Sequence, residues 1–360
     1  MDYRNFIDNY VKISDSIVDK YLIVLVMNVQ NITKSHSDYD IMSVSSEFYS
    51  YDQYEEIITA VKSAGYEVKC YFDESDFISD FSIGILRDNY PKKIIVINSA
   101  QKGTFVGRKS LIPAFCDMNN ILYANSDAYT VSFFRNKHHW FSYLKCGNYP
   151  VCPSYVYHYK KGWIFNNKPP VGDRIIAKLN SESSSIGLSL ENVRLYDTEY
   201  ETYIHELSKK YNQEVVLESF ISGYEVETPM FITEDTICCF PPAGISIDGE
   251  IHIKDKILDY ITRGKHLFDH YDFSEFNPVL SDRIIATTID IAKNTDLRGV
   301  ARIDYRIDNN SNIYITDIAT NPHITKSMTY YYFFQKYGYQ YCDVLKVVIA
   351  ITAERFSRND

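Results

Sequence analysis

The spacing of apolar positions changes along this chain, and each change marks an element. Tyr21–Met27 is a continuous apolar run, which reads as a buried strand. Tyr54–Ala64 repeats its apolar residues at helical spacing and meets Gly65, a helix-terminating cap. Strand-like runs follow at Glu67–Phe72 and Lys93–Asn98. Strand, helix, strand in this order predicts a parallel α/β domain over roughly the first 125 residues. Later runs, Arg174–Ala177, Val215–Glu218, Glu225–Phe231, Val300–Ile307 and Ile313–Ile318, are spaced as hairpin-like pairs, so an α+β architecture is expected in the C-terminal half. No internal repeat or low-complexity linker interrupts the order.

The pair Val300–Ile307 and Ile313–Ile318 flanks Asp308-Asn309-Asn310-Ser311-Asn312, a polar connection suited to an antiparallel hairpin. A turn centred on Asn310-Ser311 sets Asp304 opposite Asp317. Side chains so opposed lie about 4.5–5.5 Å apart, and two carboxylates there repel unless a cation sits between them. Arg302, two residues before Asp304, shares its face. Two readings stay open at this point. One is a Mg²⁺ site, since that ion takes one or two carboxylates plus substrate phosphates. The other is an Arg–Asp ladder on a wet sheet surface.

A second group of residues lies in the middle of the chain. Lys178 ends the run Arg174–Ala177 and is followed by Leu-Asn-Ser-Glu-Ser-Ser-Ser-Ile-Gly, residues 179–187. Small polar residues closed by glycine make a loop whose N–H groups and hydroxyls can wrap phosphate oxygens, and the lysine adds a point charge. On sequence alone Lys178 is an exposed cation whose truncation costs little stability. Further on, Val215–Ser219 leads through a turn into the strand that starts at Glu225. Glu218 could accept from an adenine amino group and Glu225 from ribose hydroxyls; the alternative is two solvated strand-end glutamates.

Composition removes several classes. Of 360 residues, 45% are hydrophobic and 23% charged, an ordinary globular balance. The net charge of -10, without a long basic run, argues against nucleic acid as a partner. The 32 tyrosines, clustered for example at Tyr330–Tyr332, are read as core residues, not as base-stacking surfaces. The seven cysteines form no C-x-x-C pair and are odd in number, so reduced thiols in the cytoplasm are expected. The run Tyr21–Met27 is too short to span a membrane, and no export signal or membrane partner is expected.

Taken in order, Tyr123–Lys137 (YANSDAYTVSFFRNK), Lys178–Ser189 (KLNSESSSIGLS), Glu218–Glu225 (ESFISGYE) and Arg302–Ser327 resemble the ATP-grasp superfamily, most closely the D-alanine–D-alanine ligase family. The resemblance covers about residues 100–350. It implies a three-part architecture: an N-terminal α/β substrate domain (1–126), a central ATP-grasp subdomain (127–218) and a C-terminal one with the metal site (219–360), the last two sandwiching the nucleotide. It implies ATP and Mg²⁺ as cofactors. Lys137 and Lys178 would hold phosphates, and Ser184 and Ser185 fall in the phosphate-covering loop. Glu218, Ser219 and Ile221 would bind adenine, and Glu225 ribose. Asp304 and Asp317 would bind the metal, and Arg302 would stabilise the tetrahedral intermediate. Ser327 would lie near the carboxylate of the attacking substrate.

Departures from the family pattern put parts of this in doubt. The metal-binding Asn falls at Ala319, and Asn321 on the same strand face is the substitute. His323 replaces a glycine of the oxyanion site. Arg263 replaces a phosphate-contacting Lys, and Gly264 a substrate-side Tyr. Glu47 stands for the glutamate that orients the first amino acid. Ser184 and Arg263 join Arg302 as catalytic candidates; Glu47, His323 and Ser327 are substrate candidates. The implied activity is an ADP-forming carboxylate–amine ligation through an acyl phosphate, on small carboxylate and amine substrates other than two D-alanines. An ester- or thioester-forming ligase, or a nucleotide-binding protein without catalysis, stays open, as does a homodimer.

Overall fold

In the computed structural model, which describes residues 1–357, β1 (Tyr21–Val26), β2 (Glu67–Tyr71), β3 (Lys93–Asn98) and β4 (Leu122–Tyr123) form a parallel sheet in the order β2-β1-β3-β4. β1 is buried at every position, as a strand covered on both faces must be. The helix expected from Tyr54 begins at Tyr51 and ends at Ser63. Its earlier start comes from a reciprocal cap between Ser50 and Gln53. The helix Tyr3–Ile17 was not foreseen, although Phe6, Ile7, Tyr10 and Ser14 are buried at helical spacing and Val11 and Ile17 pack beside them. Its partner is the last helix, Tyr341–Ser357, with which it shares one core.

The second sheet is antiparallel and runs β6-β5-β9-β7-β8: β5 (Ser154–His158), β6 (Gly162–Trp163), β7 (Arg174–Leu179), β8 (Val193–Leu195) and β9 (Val215–Ser219). Tyr200, Ile204, Leu207 and Tyr211 of the helix Thr198–Tyr211 pack on Ile175, Ala177, Val215 and Leu217. Val44 and Phe48, from a loop of the first domain, enter the same core. Burying side chains of this size contributes about 1.5–3 kcal/mol each, so the loop is anchored across the cleft.

The third sheet holds β10 (Tyr224–Ile232), β11 (Ile237–Cys239), β12 (Ala243–Ser246), β13 (Asp269–Asp272), β14 (Gly299–Ile307) and β15 (Ile313–Ala319), in the order β13-β12-β10-β14-β15 with β11 paired to β10. Phe134, Trp140, Phe141 and Leu144, from the helices Ala128–Arg135 and Lys137–Cys146, share its core. No helix among the described residues is long and apolar enough to cross a membrane.

Candidate functional site

The edges of the three sheets enclose one cavity of about 480 Å³, inside the usual range for small-molecule sites, about 300–1,000 Å³. The hairpin β14–β15 forms one wall. Asp304 does face Asp317 across it, but not through the expected turn. The connection Asp308–Asn312 sets Ile307 opposite Ile313, and Asp308 closes it by accepting from the N–H groups of Asn310 and Asn312. That register alone would leave the two aspartates out of step. A bulge next to Asp304 and Tyr305 leaves Thr316 unpaired and brings them back into opposition. The Thr316 hydroxyl donates to the Asp304 carbonyl and holds the bulge.

Arg302 clamps Asp304 through Nε at 2.7 Å and Nη2 at 2.8 Å, and its Nη1 lies 3.1 Å from Glu227. Burial, with Glu227 and Asp317 adding to it, pushes the Asp304 carboxyl up to about 7 against the pull of Arg302. Asp317 goes the other way: burial opposes its charge, but Lys137, Lys178 and two arginines outweigh it and hold its pKa down. Among the described residues no cluster of three or more His, Cys, Asp or Glu could cage a metal. The donor set present, two carboxylates opposed across the hairpin, fits an ion that draws its remaining ligands from phosphate oxygens and water. Asn321 also lines the cavity; its Oδ1 accepts from Asn125 and its Nδ2 donates to the Asn98 carbonyl, so the side chain ties the β3 end to the third sheet.

The opposite wall comes from β7, β9 and the loop after β7. Lys178 Nζ donates to Glu218 Oε2 at 2.8 Å, diagonal neighbours on one face of the sheet. Burial opposes the charge on Lys178, yet Glu218 keeps its pKa raised. Burial also raises Glu218, whose Oε1 has no partner among the described residues. Lys178 is therefore half of a buried pair, with side-chain exposures of 17% and 2%, and the expectation of a cheap truncation is withdrawn. Lys137, first residue of its helix, donates through Nζ to the Glu182 carbonyl at 2.5 Å, and burial lowers its pKa. Ser184 and Ser185 both take left-handed backbone angles, φ 51° and 57°. This tightens the loop around Gly187, where a side chain would meet Leu179 at 2.6 Å. The Ser185 hydroxyl is spent on the Leu258 carbonyl.

Ser219, Ile221 and Glu225 complete the end beyond Glu218, with Glu225 held 2.9 Å from Arg306. Arg263 reaches the cavity from the helix Tyr260–Gly264 and lies 3.8 Å from Glu227. A side chain built on Gly264 would meet nothing within 4 Å. His323 lines the cavity against Tyr49, and burial together with Lys109 lowers its pKa to about 4. Ser327 is not brought into the wall. The turn closed by Met328 N–H on the Thr325 carbonyl bonds its hydroxyl to Thr325, and Met328 lines the cavity instead.

Glu47 reaches the wall with its carboxylate already engaged. Arg108 and Arg135 donate to its Oε1 at 3.2 and 3.3 Å, and Ser183 donates to Oε2 at 2.7 Å, with Lys109 Nζ 2.9 Å away. These contacts, and Glu182 beside them, were missed from sequence. Arg306 and Glu227 were readable: Arg302, Asp304 and Arg306 alternate along one face, and Glu227 pairs with Asp304 in register. Arg108, Lys109 and Arg135 lie in segments with no periodic signal.

A family model described as D-ala D-ala ligase C-terminus matches residues 161–350. The D-alanine–D-alanine ligase of Borreliella afzelii (strain PKo) is 30% identical over 220 residues, covering 57% of each chain. That of Borrelia duttonii (strain Ly) is 27% identical over 299 residues, 76% of each. The chain thus spans little more than half the length of the first of these relatives. Among solved structures, D-alanine–D-alanine ligase from Bacillus anthracis complexed with ATP superposes with a TM-score of 0.68 at 14% identity, covering 94% of this chain and 99% of that one. The ligase from Coxiella burnetii gives 0.63 at 14% identity, covering 94% and 96%. At this identity the superpositions establish the fold.

Proposed function

The chain belongs to the D-alanine–D-alanine ligase family, and from that premise we propose that it is an ATP-dependent, ADP-forming ligase that joins a carboxylate to an amine. The observation that carries the reading is the convergence of Lys137, Lys178, Arg302, Asp304 and Asp317 on one cavity. The orphaned Oε1 of Glu218 supports placing adenine at that end, because a buried unpaired acceptor is costly and an amino group would satisfy it. Ser219 and Ile221 line the same cavity, and Glu225 is within the wall for a ribose.

In the proposed reaction a carboxylate oxygen of the first substrate attacks the γ-phosphorus, the bond to the bridging oxygen breaks, and ADP leaves. Such transfers depend chiefly on positioning and charge neutralisation. Lys137 and Lys178 supply fixed positive charge, and the loop through Ser184 and Ser185 covers the phosphates. Mg²⁺, bound by Asp304 and Asp317 with phosphate oxygens, would add the neutralising charge that the lysines do not reach. The amine of the second substrate then attacks the acyl carbon, the bond to phosphate breaks, and the amine proton is lost. Arg302 and the backbone N–H near His323 would meet the oxyanion, where one well-aimed donor is worth about 2.7–4 kcal/mol. Arg263 takes the place of a phosphate-contacting lysine.

The open space at Gly264 supports a first substrate other than D-alanine. The test is production of ADP and phosphate in step with an amide product, across a panel of carboxylates and amines. Nucleotide binding without turnover on the whole panel would favour a non-catalytic nucleotide-binding protein.

A further inference from the structure

The end of the cavity nearest the parallel sheet is built from charges that neither the nucleotide nor the metal uses. Arg108 and Lys109 sit in the turn Val106–Ser110 after β3, and Arg135 ends the helix Ala128–Arg135. Arg108, Arg135, Glu47 and Glu182 have side chains no more than 5% exposed. A carboxylate accepts about four hydrogen bonds. Glu47 has its four neighbours already, two on each oxygen. Glu182 is equally engaged: Tyr39 and Gln213 donate to Oε1, Arg135 donates to Oε2, and Arg108 donates to both. Neither carboxylate has an acceptor position left for a substrate ammonium.

The cations are the charges in excess here, three against two. Lys109 is the one that lines the cavity, and it is the most exposed of the five at 21%. Its Nζ carries three N–H groups. Ser183, at 2.8 Å, and Glu47 use two of them. The cavity lining also includes the neutral polar residues Gln30, Ser46, Ser50 and Gln53.

We propose that this end of the site receives an acid group: the substrate whose carboxylate is activated is a dicarboxylic acid, and its second carboxylate docks on Lys109. The inference rests on the ligase reading and names its first substrate class. A simple α-amino acid brings an ammonium to a subsite with no free acceptor, whereas a diacid brings an anionic acceptor for the remaining N–H of Lys109.

The experiment measures carboxylate-dependent ADP release at saturating Mg²⁺-ATP, with hydroxylamine trapping the acyl phosphate, so that no second substrate is required. Glutarate, succinate, and both enantiomers of glutamate and aspartate are compared with both enantiomers of alanine. The diacids are expected to exceed alanine in kcat/KM by about tenfold or more, the scale of one added hydrogen bond to a charged group. Lys109→Met should raise KM for the best diacid by about tenfold with KM for ATP unchanged, and Lys109→Arg should restore part of it. The comparison on the unmodified protein stands even where Lys109→Met does not fold. Alanine used as well as the diacids overturns the inference and leaves the ligase reading intact. No turnover with any carboxylate overturns both.

Discussion

Replacing Lys178 separates the structure from the sequence most sharply. Read from sequence, Lys178 is a surface cation, and its loss affects nucleotide binding alone. In the structure it is the partner of a carboxylate that is 2% exposed. Lys178→Met keeps the apolar stem and removes the charge, leaving Glu218 buried beside Asp317. Removing one partner of a buried pair costs about 3–5 kcal/mol, because an uncompensated charge stays behind. Glu218→Gln should cost less, since Lys178 still faces Asp317. The double variant should recover about 2 kcal/mol relative to the sum of the singles, within the range for contacting residues. The pH dependence gives a second check. Without Lys178, burial raises the Glu218 pKa further, so the folded state binds its proton more tightly than the unfolded chain. The penalty is then full at neutral pH and shrinks as pH falls toward the ordinary glutamate value, about 4.3. Urea unfolding of the four proteins between pH 5 and 8 measures all of this. Additive single effects below about 1 kcal/mol, the size typical of exposed pairs, would show that the pair is solvent-screened and refute the argument.

Two further perturbations probe the other wall and the oxyanion end. Asp304→Asn gives up the clamp from Arg302 but relieves repulsion from Glu227 and Asp317, so the melting temperature without ligand should change by no more than the equivalent of about 1 kcal/mol; the stabilisation by Mg²⁺-nucleotide should be lost, and a retained ligand shift would show that Asp304 holds no metal. His323 has its pKa lowered to about 4 by burial and the nearby Lys109. The unfolded chain therefore binds its proton first on acidification, and stability falls as pH drops from about 6.5 toward 4, by at most roughly 3 kcal/mol. His323→Asn should flatten that part of the profile, and an unchanged difference across pH 4–7 would contradict the assigned burial.

Much of this site was legible because it lies on strands. Alternation placed Arg302 and Asp304 on one face, and the hairpin brought Asp317 opposite, although the bulge at Thr316 that completes the register leaves no sequence signature. Lys178, Glu218 and Glu225 could be singled out because each falls at the end of a strand-like run, whereas Lys137 was named only through the family resemblance. What escaped depends on tertiary partners. The amide of Asn321 is on the right strand face and is bonded to Asn125, far away in sequence. Glu47 lies in a loop whose role depends on cations arriving from two other segments. The helix Tyr3–Ile17 carries a readable apolar periodicity that was overlooked; what the sequence leaves open is its partner, the helix at the opposite end of the chain.

The central claim is that this cavity activates a carboxylate at the expense of ATP. The most direct measurement incubates the protein with Mg²⁺-ATP, a carboxylate and hydroxylamine, and follows ADP and hydroxamate together, with Arg302→Met alongside. The account predicts equal amounts of ADP and hydroxamate, dependent on the carboxylate, and a loss of about 100-fold or more in the variant, the scale set by removing a charge-stabilising donor. ADP formed at the same rate with and without any carboxylate, and no hydroxamate, would contradict it.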